Sequence, residues 1–213
     1  MAQIDLRPVR ISRDPARRST QLLSGLALYG VSVAMLTRAH LGLEPWGVLA
    51  EGVTKHTGLT FGTATGLISV AVLLLWIPLR QRPGIGTVAN VVVIAVVVDL
   101  ARAVIPDQHA LTWRIVLLVG GVALNGVATA TYVGARLGPG ARDGLMTGLA
   151  ARTGRSVRLV RTCLEISVVV AGFALGGTVG FGTVLYALAI GPLTQAVLPL
   201  TTWREKRERQ QRH

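Results

Sequence analysis

Gly25-Leu26-Ala27-Leu28-Tyr29-Gly30-Val31 returns about 96 residues later as Gly121-Val122-Ala123-Leu124-Asn125-Gly126-Val127. The match extends outward without a gap. Leu41-Gly42 meets Leu137-Gly138, Leu49 and Gly52 meet Leu145 and Gly148, and Thr57-Gly58 meets Thr153-Gly154. Further on, Gly84-x-Gly86-Thr87-Val88 meets Gly180-x-Gly182-Thr183-Val184. Many of these identities are glycine on glycine, the residue kept where backbones approach closely or φ is positive. A fixed-period self-match in an apolar chain is the mark of transporter and channel folds.

Composition sets the class. Of the 213 residues 51% are hydrophobic and 15% charged, too little charge to cover a soluble domain of this size. The net charge of +12 suggests nucleic acid at first sight. The basic residues instead sit in tails and loops beside apolar runs, where they serve topology and anionic lipid headgroups. No nucleic-acid partner is expected. The single cysteine, Cys163, excludes an intrachain disulfide. The basic N-terminal region is long and no small-x-small site follows it, so the first apolar stretch is expected to be a retained helix rather than a cleaved signal.

A spanning helix needs about 20 mostly apolar residues. Six segments qualify, 21–37, 61–79, 87–105, 114–134, 159–178 and 182–200, three in each copy of the repeat. An odd number per copy forces the second copy to be inverted. The basic residues test this: with the N-terminus inside, 18 of the 22 Lys and Arg residues fall on the cytoplasmic side, leaving Arg38, Lys55, Arg102 and Arg114 outside. Between the first two spans of each copy lies a shorter element. Pro45 and Gly58 bracket one, and the stretch Gly138–Gly154 holds its partner. At about 18 Å such helices are too short to cross; they either lie in the interface or dip inward as half-helices.

The expected architecture is an all-α membrane protein of six spans in two inverted three-helix repeats, each with one short helix. Its segments are a basic cytoplasmic tail over 1–20, a first repeat over 21–105 with the short helix 45–57, a second over 114–201 with the short helix 141–153, and a basic tail over 202–213. Both termini are expected in the cytoplasm of a bacterial-type cell membrane.

The chain resembles the YczE-like integral membrane proteins, related to the YitT group, from about residue 20 to 200. The first-half pattern is Leu41-Gly42-x-x-Pro45-Trp46-x-Val48-Leu49-x-x-Gly52, then Thr57-Gly58-x-x-x-Gly62 and Arg82-Pro83-Gly84-Ile85-Gly86-Thr87. The second-half pattern is Arg142-Asp143-Gly144-Leu145-Met146, Arg158-x-x-Arg161-Thr162-x-x-Glu165, Gly176-Gly177-Thr178-Val179-Gly180-x-Gly182-Thr183 and Gly191-Pro192. The family usually has Asp after Pro-Trp, where this chain has Gly47, and Pro before Arg-Asp, where it has Ala141. The resemblance implies a six-span membrane protein and no settled activity.

Ionisable groups in apolar spans are expensive and need a reason. Glu165 shares a helical face with Arg161 and Arg158. Two readings stand: a structural ion pair, or a substrate or proton site in which the arginines hold an anion. Arg142 and Asp143 open the second short helix, where Asp143 either caps the helix or gates a cytoplasmic mouth. Glu44 and Glu51 flank the first short helix. Glu44 reads as a favourable charge at a positive helix end, and Glu51 faces either solvent or a pore. Asp99 and Arg102 form either a surface pair or a polar site at the outer end of the third span. Asn90, Asn125 and Gln195 serve interhelical hydrogen bonds or ligand contacts. The candidate substrate-binding set is Glu165, Arg161, Arg158, Arg142, Asp143, Trp46, Glu51 and Asp99. No nucleophile, metal or phosphate-loop motif is present, so no enzyme activity, cofactor or bound metal is expected. The expected partners are the bilayer, a small solute and a homo-oligomeric copy. The leading expectation is a small-solute permease or exporter; the alternative is a non-transporting scaffold with a basic docking face.

Overall fold

The computed structural model describes residues 8–9 and 12–203. The basic residues Arg7, Arg10, Arg204, Lys206, Arg207, Arg209 and Arg212 of the two expected tails lie outside the described residues. Those described form an all-helical fold of eight helices: α1 (Pro15–Ala39), α2 (Pro45–Thr57), α3 (Phe61–Leu79), α4 (Ile85–Val104), α5 (Leu111–Gly134), α6 (Ala141–Thr153), α7 (Val157–Ala174) and α8 (Phe181–Thr201).

Five of the helices, α1, α3, α4, α5 and α8, are long and apolar enough to cross a membrane. The sequence led us to expect six. The remaining one, α7, has 18 residues and carries Arg158, Arg161 and Glu165 among them, which sets it apart from its apolar neighbours. It also stops at Ala174 rather than continuing to residue 178, because Gly176 takes φ 80° and the Gly177 amide turns back to the Gly172 carbonyl. Large apolar side chains such as Leu74, Val104, Leu188 and Leu200 lie 60–85% exposed, a surface that water would not tolerate and lipid would.

The core is built on α1 and α5, which run antiparallel. Arg18 at the start of α1 donates to the Ala135 carbonyl past the end of α5, at 2.9 Å. Midway, the Asn125 amide donates to Ser32 Oγ at 2.8 Å. At the other end Arg114 donates to the Ala39 carbonyl at 2.8 Å. Around this pair, α4 packs on α1 and α8 packs on α5. The short helices lie between α3 and α7: α2 touches both, and so does α6.

Contacts come in exchanged pairs. The Gly86 amide donates to the Leu137 carbonyl, and the Gly182 amide donates to the Leu41 carbonyl. Each residue in the second bond stands at the position equivalent to its counterpart in the first. Left-handed backbone recurs in the same way, at His40 and Arg136, Gly42 and Gly138, Gly58 and Gly154, and Arg80 and Gly176. At Gly42 and Gly138, φ values of 110° and 132° are open in practice only to glycine. The bulky packing partners are exchanged too. The Trp76 ring of α3 occupies the space beside Gly144 of α6, while Gly172 of α7 lies against the Val48-Leu49 backbone of α2. The largest unmatched packing is that of α3 on α4, since no comparable packing joins α7 to α8.

Candidate functional site

The short helices begin at one place. α2 starts after Glu44, in extended backbone at φ −62° and ψ 155°, with Pro45 in its first turn. α6 starts after Gly140, at φ −61° and ψ 160°. Both starting segments line the same cavity of about 190 Å³. Its remaining wall comes from α1, α3, α4, α5, α7 and α8. Helix N-termini carry unsatisfied N–H groups and a partial positive charge, so two of them at one cavity make an electropositive centre. Apolar residues, Val91, Ile94, Met146 and Ile190 among them, share the rest of the lining with polar ones such as Ser69, Asn90 and Thr129.

Arg142 follows the start of α6. Its guanidinium lies over the Trp46 ring at 5.0 Å from the ring centre. Its Nη1 stands 3.5 Å from the Tyr29 hydroxyl. No carboxylate lies within ion-pair distance of Arg142 among the described residues. Tyr29 and Tyr132 meet edge to face at 6.0 Å, and the Tyr132 hydroxyl is 3.4 Å from Asp143 Oδ2. Burial pushes the Asp143 carboxyl up, against the pull of Arg161 and Arg142. Tyr186 donates to Asn125 Oδ1 at 2.9 Å, joining the cavity wall to the α1–α5 contact at Ser32.

Three buried polar atoms on residues that line this cavity have no hydrogen-bond partner among the described residues: Glu44 Oε2, Trp46 Nε1 and Thr194 Oγ1. Glu44 is 2% exposed and Trp46 6%. Burial pushes the Glu44 carboxyl up to about 7, opposed by Arg142 and by its own backbone amide. The carboxyl folds over Gly47, where any Cβ would collide with it. The position at which the resembling family usually carries Asp is thus a gap in this chain, filled by the carboxyl of Glu44.

Among the eight residues expected from sequence, the cavity gathers Arg142, Asp143, Trp46, Arg161 and Glu165. Arg161 Nε and Glu165 Oε1 form an i, i+4 pair at 2.9 Å, with side chains 48% and 26% exposed, on the α7 edge of the cavity. Arg158 is exposed and off the cavity wall. Glu51 lies elsewhere: it accepts from the Thr178 amide and stands 3.7 Å from Lys55, tying α2 to the α7–α8 turn. Asp99 accepts from the Gly62 amide at 2.7 Å and from the Thr60 hydroxyl, so it caps the start of α3 from α4. Arg102 does not pair with it; its guanidinium lies over the Phe61 ring at 5.3 Å. Asn90 and Gln195 line the cavity.

Sequence reasoning missed Tyr29, Tyr132, Tyr186 and Thr194 as wall residues and gave Glu44 only a helix-end role. The tyrosines carried no charge to flag them. The signal for Glu44 was present: a carboxylate next to Pro45, facing across the repeat from Gly140 and its Arg142-Asp143 sequel.

The model of DUF6198, a family of unknown function, matches residues 16–199. The chain is similar to an uncharacterized protein of Haemophilus influenzae, 41% identical over 177 residues that make 83% of this chain and 81% of the relative. It is also similar to the uncharacterized membrane protein YczE of Bacillus subtilis, 34% identical over 185 residues that make 85% and 86% of the two chains. A more distant relative is the uncharacterized protein YyaS of Bacillus subtilis, 24% identical over 180 residues, 83% and 90% of the two chains. No solved structure matches.

Proposed function

This chain belongs to the DUF6198 family, of unknown function, and is a YczE-like membrane protein; from that premise we propose that it is a small-solute permease working by alternating access between two inverted repeats. The supporting observation is the cavity at which α2 and α6, one short helix from each copy, both begin. The exchanged contacts and the antiparallel run of α1 and α5 favour inversion, since equivalent helices that run antiparallel are related by an axis across them. On this reading α7 is the sixth span, with Arg161 and Glu165 on the cavity edge and Arg158 near its cytoplasmic start, and both termini are cytoplasmic by the charge split. The cavity between the copies is the substrate site, and no bond-making chemistry is assigned to it.

Gly191 offers a clean test. It lines the cavity, and a Cβ added there meets nothing within 4 Å. In a Cys163→Ser background, Gly191→Cys proteoliposomes should still conduct glycerol, methylammonium or lactate, and the unmodified variant is the reference. A methanethiosulfonate sulfonate reagent should then block that flux and leave the cysteine-free protein untouched. Flux that survives full modification, or the absence of flux for all three solute classes, removes the permease reading.

The scaffold alternative keeps one observation. Arg152, Arg155 and Arg158 are exposed around the α6–α7 turn. Arg142 does not join them, because it lies on the cavity wall. Charge reversal at the three exposed arginines, with binding to anionic vesicles as readout, tests that docking face separately from the cavity.

A further inference from the structure

The cavity has a chemical sign. Its ionisable groups are few and come from known elements: Glu44 before α2, Arg142 and Asp143 from α6, Arg161 and Glu165 from α7, and Tyr29, Tyr132 and Tyr186 from α1, α5 and α8. The α3 and α4 walls present Thr65, Ser69 and Asn90, none of which titrates. Arg161 is matched by Glu165 at 2.9 Å. Arg142 has no carboxylate within ion-pair distance among the described residues, and two helix N-termini add to its charge. Burial favours the neutral form of Glu44 and of Asp143. With Glu44 protonated, Arg142 stands in the wall as a cation with no carboxylate within ion-pair distance among the described residues.

The unpartnered atoms fit an anion. Trp46 Nε1 is a donor only, and a hydroxyl such as Thr194 Oγ1 can donate. A protonated Glu44 adds an O–H donor at Oε2. A buried donor without an acceptor is costly, so three on residues that line one cavity call for a ligand that accepts. Arg presents a planar fork matched to a carboxylate. The apolar side chains around it suit a short hydrocarbon tail, and a cavity of about 190 Å³ suits a small ligand.

We propose that the cavity binds a small monocarboxylate together with one proton, the carboxylate on Arg142 and the donors of Trp46 and Thr194, the proton on Glu44. The proton enters from water and leaves the same way, so anion and proton add no net charge. Binding rests on the cavity alone. Passage of the pair across the membrane rests on the permease reading above.

The test is calorimetric titration of L-lactate into the purified full chain in detergent, at pH 6 and pH 8, beside flux of lactate, methylammonium and glycerol into proteoliposomes. Wild type should bind lactate about tenfold more weakly at pH 8 than at pH 6, as one linked proton near pH 7 requires. Glu44→Gln should flatten that difference. Trp46→Phe, which keeps the ring and deletes the donor, should weaken binding several-fold, and Arg142→Gln by tenfold or more, with Arg142→Lys in between. Equal affinity at the two pH values overturns the linked proton. Wild-type affinity in Trp46→Phe overturns the donor assignment, even where an Arg142 variant does not fold. Displacement of lactate by an equal concentration of chloride overturns the carboxylate class in favour of inorganic anions. Methylammonium or glycerol flux without lactate binding sinks this proposal and spares the permease; lactate binding without flux of any solute does the reverse.

Discussion

At the residue scale, Glu44 holds a carboxyl where its charge is costly. Its pKa is raised from the ordinary 4.5 to about 7. The folded protein therefore keeps the proton more tightly than the unfolded chain. The stability this gives is full below about pH 4.5 and is lost as pH rises through about 7. Between pH 6 and pH 8 the loss is about 1 kcal/mol, or about 3 °C in melting temperature for a chain of this size. Glu44→Gln should lack that decline, and thermal unfolding in detergent at the two pH values checks it; parallel declines in both proteins would show that other groups carry the slope. Four of the five legible cavity residues share one property. Arg142, Asp143, Arg161 and Glu165 stand out because charges in apolar segments are rare. Glu51 and Asp99 stood out for the same reason, yet they serve the backbone of Thr178 and Gly62, partners far away in sequence. Charge marks a residue as having a purpose; the fold decides whether that purpose is a ligand or an amide.

At the element scale, punctuation made the short helices readable. Pro45 with Gly58, and Gly140 with Gly154, bound α2 and α6 as they stand in the structure. What holds them was not readable. The indole of Trp76 is seated beside Gly144 and donates to the Ala141 carbonyl at 2.9 Å, fixing α3 to the start of α6. A methyl at Gly144 has no space, so Gly144→Ala should cost about 1–3 kcal/mol by overpacking. Adding Trp76→Phe should recover part of that loss, because the smaller ring vacates the room. Chemical denaturation of the two variants decides it, and an unchanged Gly144→Ala would mean that the helices separate easily at this point. A residue pattern gives no warning of such a contact, since Trp76 is equally well read as an interfacial anchor.

At the scale of the whole molecule, the proposed inversion places the end of α2 outside and the end of α6 inside. Thr57 and Thr153 are exposed and equivalent. In a Cys163→Ser background, Thr57→Cys should react with an impermeant maleimide on intact cells, and Thr153→Cys only after the membrane is opened. Reaction of both from the same side would rule out the inversion. The all-helical, repeated plan was legible because repetition and the length of apolar runs are properties of segments. The cavity was not, because it forms only where segments from six helices and two helix starts converge. The unmatched seam, closed between α3 and α4 and open between α7 and α8, then acquires a thermodynamic meaning. Two halves with identical seams would make the inward and outward states degenerate. On the permease reading, one seam more on one side is a bias, and the free-energy gap between the two proposed access states would be the difference between what α3 gains on α4 and what α7 would gain on α8.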